Sequence, residues 1–357
     1  MVVAKKPKAI AKLNEALSKT FDRYALYLNY NEAKTNVILG EKTELTGGKE
    51  ESSLIRGVKV KVNPESFLQV NDEIRDKIYD EVERTIDVKA GSVVVDAYAG
   101  VGLLGASFAK KGARVYNLEI VPEATLDGKR LAEENGLKNE VSNICCDSGE
   151  RLPSLIEKLK GDLTLCASHE MSLRHEYFLK IEDGSKTFEL KKYDEKRRSV
   201  KIGSSVCFAD LESGKQVLCE VTSLTVAPSF DDLFEKVDIE SCGFSGVDNA
   251  AAAIMMEEFY TKAEQAKYGV VAIGVKVVKP TITVVLDPPR KGCAESVLNA
   301  VKSADSLVYI SCNPATLARD LKILDDTFRP ERITPYDMFP NTRHVEVVVS
   351  MSRVGVK

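Results

Sequence analysis

The feature that most constrains this chain is a rhythm of strand, turn and helix that starts at Ser92, stops after about Lys160 and resumes near Thr281. SVVVDAY, AGVGLLGASFAKKG, ARVYNLEI, PEATLDGKRLAEENG and VSNICCD alternate apolar runs with helix-period segments, and TITVVLDPPRKG and SLVYISCNPATLARDLKIL repeat the pattern. Near-continuous apolar strands separated by helices indicate a parallel, doubly wound α/β sheet covered on both faces. Between the two blocks, short alternating segments such as SVCFADL and QVLCEVTSLTV lie among charged turns, with a helix expected over 250–267. A small β-rich domain inserted into a loop of the α/β domain accounts for the interruption. The expected division is an N-terminal region over 1–88, an α/β domain over 89–161 and 280–357, and an insertion over 162–279. The N-terminal region reads as a helix followed by strands, including TNVILG and GVKVKVNP, and then a leading helix over 73–86. The closing ITPYDMFPNTRHVEVVVSMSR reads as two strands and a turn.

With 44% hydrophobic and 29% charged residues, the chain has the material for two packed cores. It has no apolar run near the roughly twenty residues needed to span a bilayer. MVVAKKPKAIAKLNEAL lacks the apolar block of a signal peptide. We expect an intracellular, cytoplasmic protein with no membrane partner. The eight cysteines form no C-x-x-C pair, which fits a reducing compartment, and the three histidines are scattered. No metal and no iron-sulfur cluster is expected. A net charge of −4 argues against a nucleic-acid partner when taken as a whole. Charge is local, however, and Lys191, Lys192, Lys196, Arg197, Arg198 and Lys201 form one basic cluster, although a solvated face is the ordinary reading of such a run.

Three sites along the α/β rhythm carry chemistry. Gly100, Gly102 and Gly105 make a G-x-G-x-x-G turn directly after an apolar strand, and Glu119 ends the next one. Such a turn lets backbone approach a ligand, and the carboxylate suits the ribose hydroxyls of an adenosine. A nicotinamide cofactor would fit the glycines equally well. Asp287, ahead of Pro288, Pro289 and Arg290, lies at the carboxyl edge of a sheet strand, where ligands of open α/β sheets bind. Enzymes that methylate amino groups resemble this with an aromatic residue after the two prolines. Arg290 stands there instead, which disfavours methylation of an exocyclic amine. Cys312 follows an apolar strand and precedes a helix beginning near Pro314, a position expected to favour the thiolate. A buried, inert thiol is the ordinary alternative.

A cysteine beside a methyl donor suggests one reaction. C5 of a uracil is a poor nucleophile, and addition of a thiolate to C6 makes it an enolate carbon that can attack an electrophilic methyl group. A base must then remove the C5 proton. Glu346 and His344 in DMFPNTRHVE are placed for this on one side of the last strand; Glu346 is preferred as the base, with His344 orienting it or capping the turn.

Taken together, DAYAGVG, LDPPRKG, SCNPATLARDL and DMFPNTRHVE resemble the RNA 5-methyluridine (uracil-C5) methyltransferase family, and TNVILGE and SFLQVN are similar to its central region. The resemblance covers about residues 10–160 and 280–353. It implies a Rossmann-like class I methyltransferase sheet, Cys312 as nucleophile and Glu346 as proton acceptor. It also implies contacts to S-adenosyl-L-methionine by Gln69, Tyr98, Gly100, Glu119, Asp147 and Asp287. Three departures stand out. Ala99 and Leu103 replace the usual cysteine and a common asparagine, and neither the N-terminal TRAM barrel nor the iron-sulfur cysteines of some members is expected here.

HEYFLKIEDGSKTFELKKYDEKR, with its Gly184-x-Lys186-x-x-Glu189 pattern, is similar to the ASCH domain, a small PUA-like β-barrel proposed to bind RNA or nucleotides. The resemblance implies RNA contacts by Lys186, Lys191, Lys192, Arg197 and Arg198; transfer RNA is expected over ribosomal RNA only because it is available as a compact folded substrate. Lys186 and Glu189 would otherwise form a surface ion pair of little weight. The competing readings are a non-catalytic RNA-binding protein on a methyltransferase scaffold, a nicotinamide-dependent oxidoreductase, and a DNA cytosine-C5 methyltransferase. The Ser-Cys-Asn-Pro order is unlike the Pro-Cys placement of that last class.

Overall fold

A computed structural model describes residues 2–4, 9–32, 40, 42–61, 63, 64, 66, 69, 71–342 and 345–355. The strand expected over TNVILG falls largely on 35–39, outside the described residues, as do His344 and residues 67, 68 and 70 of FLQVN. The N-terminal part contains β1 (Val2–Ala4), α1 (Ile10–Thr20), β2 (Ala25–Tyr30) and β3 (Lys42–Gly48), with β2 at the centre of a three-stranded sheet. A hairpin follows, β4 (Ser53–Ile55) and β5 (Val58–Val60), turning on Arg56 and Gly57. Both turn residues have positive φ, 49° and 74°, as a tight hairpin with the right twist requires. α2 (Asp72–Thr85) is capped by the Asn71 side chain, which accepts from the Ile74 amide, and it lays Ile78 and Val82 on the central sheet.

That sheet is built from β6 (Ser92–Asp96), α3 (Leu103–Lys110), β7 (Arg114–Glu119), α4 (Pro122–Glu134), β8 (Val141–Cys145) and α5 (Ser148–Gly161). The insertion comes next, with β9 (His169–Leu173), α6 (His175–Glu182), β10 (Phe188–Lys192), α7 (Glu195–Arg198), β11 (Ser205–Asp210) and β12 (Gln216–Ala227). It continues through α8 (Phe230–Phe234), α9 (Asn249–Met256), α10 (Lys262–Tyr268) and β13 (Val270–Val277). The central sheet then resumes with β14 (Thr281–Leu286), α11 (Glu295–Val301), β15 (Ser306–Ser311), α12 (Pro314–Leu324), β16 (Phe328–Tyr336) and β17 (Glu346–Arg353).

The central strands lie in the order β16-β17-β15-β14-β6-β7-β8. All run parallel except β17, which is antiparallel to both its neighbours. Strand order reverses between β6 and β14, so the crevice outside their carboxyl ends is the switch point at which such sheets take ligands. Because β17 runs the other way, its first residue, Glu346, joins the carboxyl ends of β15 and β14 at that edge. One face of the sheet packs Leu152, Ile156, Val297 and Leu317, and the other packs Val82, Phe108 and Leu131. No helix among the described residues is long and apolar enough to cross a membrane.

The insertion forms a five-stranded sheet, β10-β13-β12-β11-β9, antiparallel except for the β9–β11 pair. Phe178 and Ile181 of α6 cover one face, and Phe230, Phe234 and Met256 cover the other. The single helix expected over 250–267 is two helices. Thr261 starts α10 with a capping box, its hydroxyl accepting from the Glu264 amide while the Glu264 carboxylate takes the Thr261 amide. The T-K-A-E signature was present in the sequence.

Candidate active site

The glycine turn after β6 divides its labour. An added Cβ at Gly102 or Gly105 would lie 2.4 Å from the Asn117 amide group, so these two glycines serve close packing of α3 on β7. Gly100, at φ 54°, turns its amide to Glu119, whose carboxylate accepts from Gly100 at 2.7 Å and from Val121 at 2.8 Å. Glu119 thereby becomes a fixed acceptor at the tip of β7. Asp147 caps α5, accepting from the Gly149 amide at 2.7 Å. Around these residues is a cavity of about 240 Å³, walled by Tyr98, Glu119, Ile120, Asp147, Pro289 and Val297. Three expected cofactor residues, Tyr98, Glu119 and Asp147, thus meet in one cavity. Gly100 is bonded to its rim, Asp287 lies in the adjoining carboxylate cluster, and Gln69 is half-buried with no described partner that places it there. Ile120 was missed from sequence; 63% exposed beside Glu119, it gives the cavity an apolar wall.

At the switch point the ends of four strands converge. Antiparallel pairing sets Ser311 opposite Val347, so Cys312 and Glu346 are each the next residue beyond that pair, and the Glu346 charge acts on the thiol. Asn313 caps α12 through the Ala315 amide and also donates to the Arg290 carbonyl at 3.1 Å, so the Cys312 and Asp287–Arg290 loops are tied together. Asp320, wholly buried on α12, accepts from the Cys293 amide at 2.9 Å and the Tyr309 hydroxyl at 2.6 Å. Gly292, at φ 78°, passes so close that a Cβ would lie 2.6 Å from Asp320, which explains the glycine of PPRKG. Asn71 donates to the Met338 carbonyl at 2.9 Å and anchors the loop leading to Glu346.

Burial controls the charges here. The Asp96 carboxyl is pushed up to about 7 by desolvation, with the Glu119 charge adding to it. Asp287 still exposes part of its surface but is densely surrounded; burial, Glu346 and Asp96 hold its carboxyl well above the usual range. Glu346 is raised by burial and restrained by Arg290. Cys312 differs from expectation: its thiol is pushed up, first by burial and then by Glu346 and Asp287, while Arg290 opposes the shift. Burial first, and the two facing carboxylates after it, oppose the help that the α12 N-terminus was expected to give the thiolate. Tyr79 of α2, also missed from sequence, is raised by burial and by Asp96 and Asp287, which puts its hydroxyl beside this cluster. No group of three or more His, Cys, Asp or Glu among the described residues could hold a metal ion.

The cations expected to bind RNA do not form a single exposed patch. Lys186 and Glu189 are only 4% and 5% exposed, so their pairing is buried and not at the surface. Lys186 donates to the carbonyls of Phe188 at 2.7 Å and Cys242 at 2.6 Å, and Lys191 reaches Glu189 at 2.7 Å. Lys192 pairs with Glu264 and Arg197 with Asp194, and Arg198 lies over the Tyr193 ring.

Sheet order, switch-point crevice and cavity define a class I methyltransferase fold interrupted by a second sheet. Residues 237–354 match the profile of the tRNA (uracil-5-)-methyltransferase family, and residues 171–279 match the ASCH domain. An uncharacterized RNA methyltransferase of Bacillus cereus is 28% identical over 355 residues, 98% of this chain and 51% of that protein. A Clostridium tetani protein of the same description is 26% identical over 357 residues, 99% of this chain and 51% of its own length. The chain therefore spans about half the length of the curated relatives it matches. The crystal structure of a Pyrococcus abyssi tRNA (uracil-54, C5)-methyltransferase with S-adenosyl-L-homocysteine aligns at 19% identity and TM-score 0.49, over 98% of this chain and 55% of that one. The chain is thus similar to the RNA uracil-C5 methyltransferases and carries a segment similar to the ASCH domain.

Proposed function

We propose that this protein methylates C5 of a uridine in RNA, with S-adenosyl-L-methionine as donor, Cys312 as nucleophile and Glu346 as base. The observation that carries this reading is the Ser311–Val347 pair at the switch point, which leaves Cys312 and Glu346 next beyond it and near Asp287 and Arg290. The cavity beside the glycine turn fits the donor: Tyr98 and Ile120 offer apolar walls for a flat purine, and Glu119 and Asp147 offer acceptors for a ribose diol. Bound there, the donor would supply an electrophilic methyl carbon at the crevice.

The chain's own groups do the rest. Cys312 loses its proton to solvent, and its sulfur bonds to C6 while the C5–C6 π electrons move to an enolate that Arg290 is charged to stabilise. C5 takes the methyl group; Glu346 then removes the C5 proton, the double bond re-forms and the C6–S bond breaks. Burial raises the Asp287 and Asp96 carboxyls and so lessens the negative charge that the thiolate and enolate meet. On this reading 89–161 with 280–357 is the catalytic domain, 162–279 the RNA-holding insertion and 1–88 the region leading into it, in a cytoplasmic enzyme acting on transfer RNA in preference to ribosomal RNA.

The test is incubation with labelled donor and total RNA, followed by nucleoside mass spectrometry. Wild type should yield 5-methyluridine and Cys312→Ala none, while Glu346→Gln should accumulate a protein-RNA adduct. Any other methylated nucleoside refutes the base assignment.

A further inference from the structure

The helix that follows the nucleophile spends one face on a neighbouring loop. Asn313, Thr316, Arg319 and Asp320 recur at three- and four-residue intervals, which sets their side chains along one side of α12. All four hold main chain of the loop over 289–294. Asn313 and Thr316 donate to the Arg290 carbonyl at 3.1 and 3.2 Å, Arg319 donates to the Lys291 carbonyl at 3.0 Å, and Asp320 accepts from the Cys293 amide at 2.9 Å. Asp320 is the costly member of the set. Its carboxylate is 0% exposed, and such burial is tolerated only where donors replace the lost water. Arg319 at 2.8 Å and the Tyr309 hydroxyl at 2.6 Å complete its shell. Leu317 and Leu324 anchor the same helix by apolar burial alone, so anchoring α12 does not call for a carboxylate.

The loop so held serves two sites. Pro289, Lys291, Gly292 and Ala294 line the donor cavity, and Arg290, within the same run, is the cation that acts on Cys312 and on Glu346. A second thread joins the carboxylate to the cavity. The Cys293 thiol lies within hydrogen-bonding reach of the Tyr309 and Tyr98 hydroxyls, and Tyr98 is one of the cavity walls. We propose that Asp320 is a positioning residue for methyl transfer, holding the loop over 289–294 so that one segment both walls the donor cavity and sets Arg290 at the Cys312 crevice. The inference rests on the methylation reading above, since it needs a donor in that cavity and a thiolate at Cys312. Asp320 acts only through the loop. Its loss should therefore disturb donor and cation together.

The test compares Asp320→Ala, Asp320→Asn and Leu324→Ala in the intact protein. Three quantities are read: affinity for S-adenosyl-L-homocysteine by calorimetry, alkylation of Cys312 by iodoacetamide at pH 8 followed by peptide mass, and 5-methyluridine formation. Asp320→Ala should bind S-adenosyl-L-homocysteine several-fold more weakly and alkylate Cys312 several-fold more slowly. The direction discriminates. Removing a negative charge acts through space to lower a thiol pKa and would speed alkylation, whereas displacing Arg290 slows it. In 5-methyluridine formation kcat should fall on the order of 100-fold, the loss that a misplacement of about 1 Å brings, with KM for RNA nearly unchanged. Asp320→Asn keeps an oxygen for the Cys293 amide and the Tyr309 hydroxyl but offers Arg319 no anion. It should fold like wild type and fall between wild type and Asp320→Ala in every readout. Leu324→Ala withdraws apolar burial from the end of the same helix, and should lower stability while leaving all three readouts near wild type. Either Asp320 variant alkylating at or above the wild-type rate, or Leu324→Ala reproducing their losses, overturns the proposal. Asp320 variants that shift affinity and alkylation as expected, in a protein that makes no 5-methyluridine, support the positioning role and defeat only the methylation reading.

Discussion

At the scale of single residues, the reactive thiol is set by opposing charges. Glu346 and Asp287 raise Cys312, and Arg290 lowers it. Removing Glu346's charge should therefore lower the thiol pKa, and removing Arg290's should raise it. Iodoacetamide alkylation of Cys312 at pH 8 reads the thiolate fraction directly. We expect Glu346→Gln to react several-fold faster than wild type and Arg290→Ala several-fold slower; equal rates would show that neither charge reaches the sulfur. Asp96 allows a second prediction. Its folded-state value, up to about 7, lies above that of the unfolded chain, so its contribution to stability is full below the unfolded pKa and is lost as pH rises from about 4 through 7. Asp96→Asn, which keeps the acceptor without the charge, should raise the melting temperature at pH 8 and leave it nearly unchanged at pH 4. The gain is bounded at about 4 kcal/mol by the size of the shift.

At the scale of elements, what places Arg290 against Cys312 is the packing of the Asp287–Gly292 loop on α12. Gly292→Ala would drive a methyl group into Asp320 and Arg319 from a left-handed backbone, and should cost about 1–3 kcal/mol in urea unfolding. Elements were legible in the sequence wherever one motif carried its own geometry. The apolar runs ending in Asp96, Glu119 and Asp287 announced parallel strands, and the sequence around Cys312 announced a strand tip and a helix from Pro314, to which the structure adds the Asn313 cap. The raised thiol of Cys312 was not legible, because the carboxylates responsible come from β14 and β17, far apart in sequence. Tyr79 and Ile120 escaped for the same reason, since only the folded sheet edge brings α2 and the tip of β7 to the crevice. Gly184-x-Lys186-x-x-Glu189 was recognisable as a pattern, yet its burial depends on Cys242 and Tyr177 from elsewhere in the insertion.

At the scale of the whole molecule, the question is whether the insertion is a tethered module or part of one body. Leu218 and Cys207 of the inserted sheet are buried in the same apolar cluster as Val93 and Ile282 of the central sheet and Ile156 of α5. Gln216 bridges the junction, accepting from the Leu163 amide at 2.8 Å and donating to Asp162 at 3.2 Å. A shared core leaves little freedom for one sheet to turn on the other, so the inserted sheet and the crevice at Cys312 sit at a fixed separation. Sharing also couples stability, because removing a side chain from the common cluster withdraws support from both sheets. Leu218→Ala should cost about 2–5 kcal/mol. Its hydrogen exchange should rise together in peptides covering β6 and β14 and in those covering β12 and β13. An increase confined to the inserted strands, with β6 and β14 protected as in wild type, would mean that the two sheets open independently and that the spacing between the inserted sheet and the thiol is not fixed.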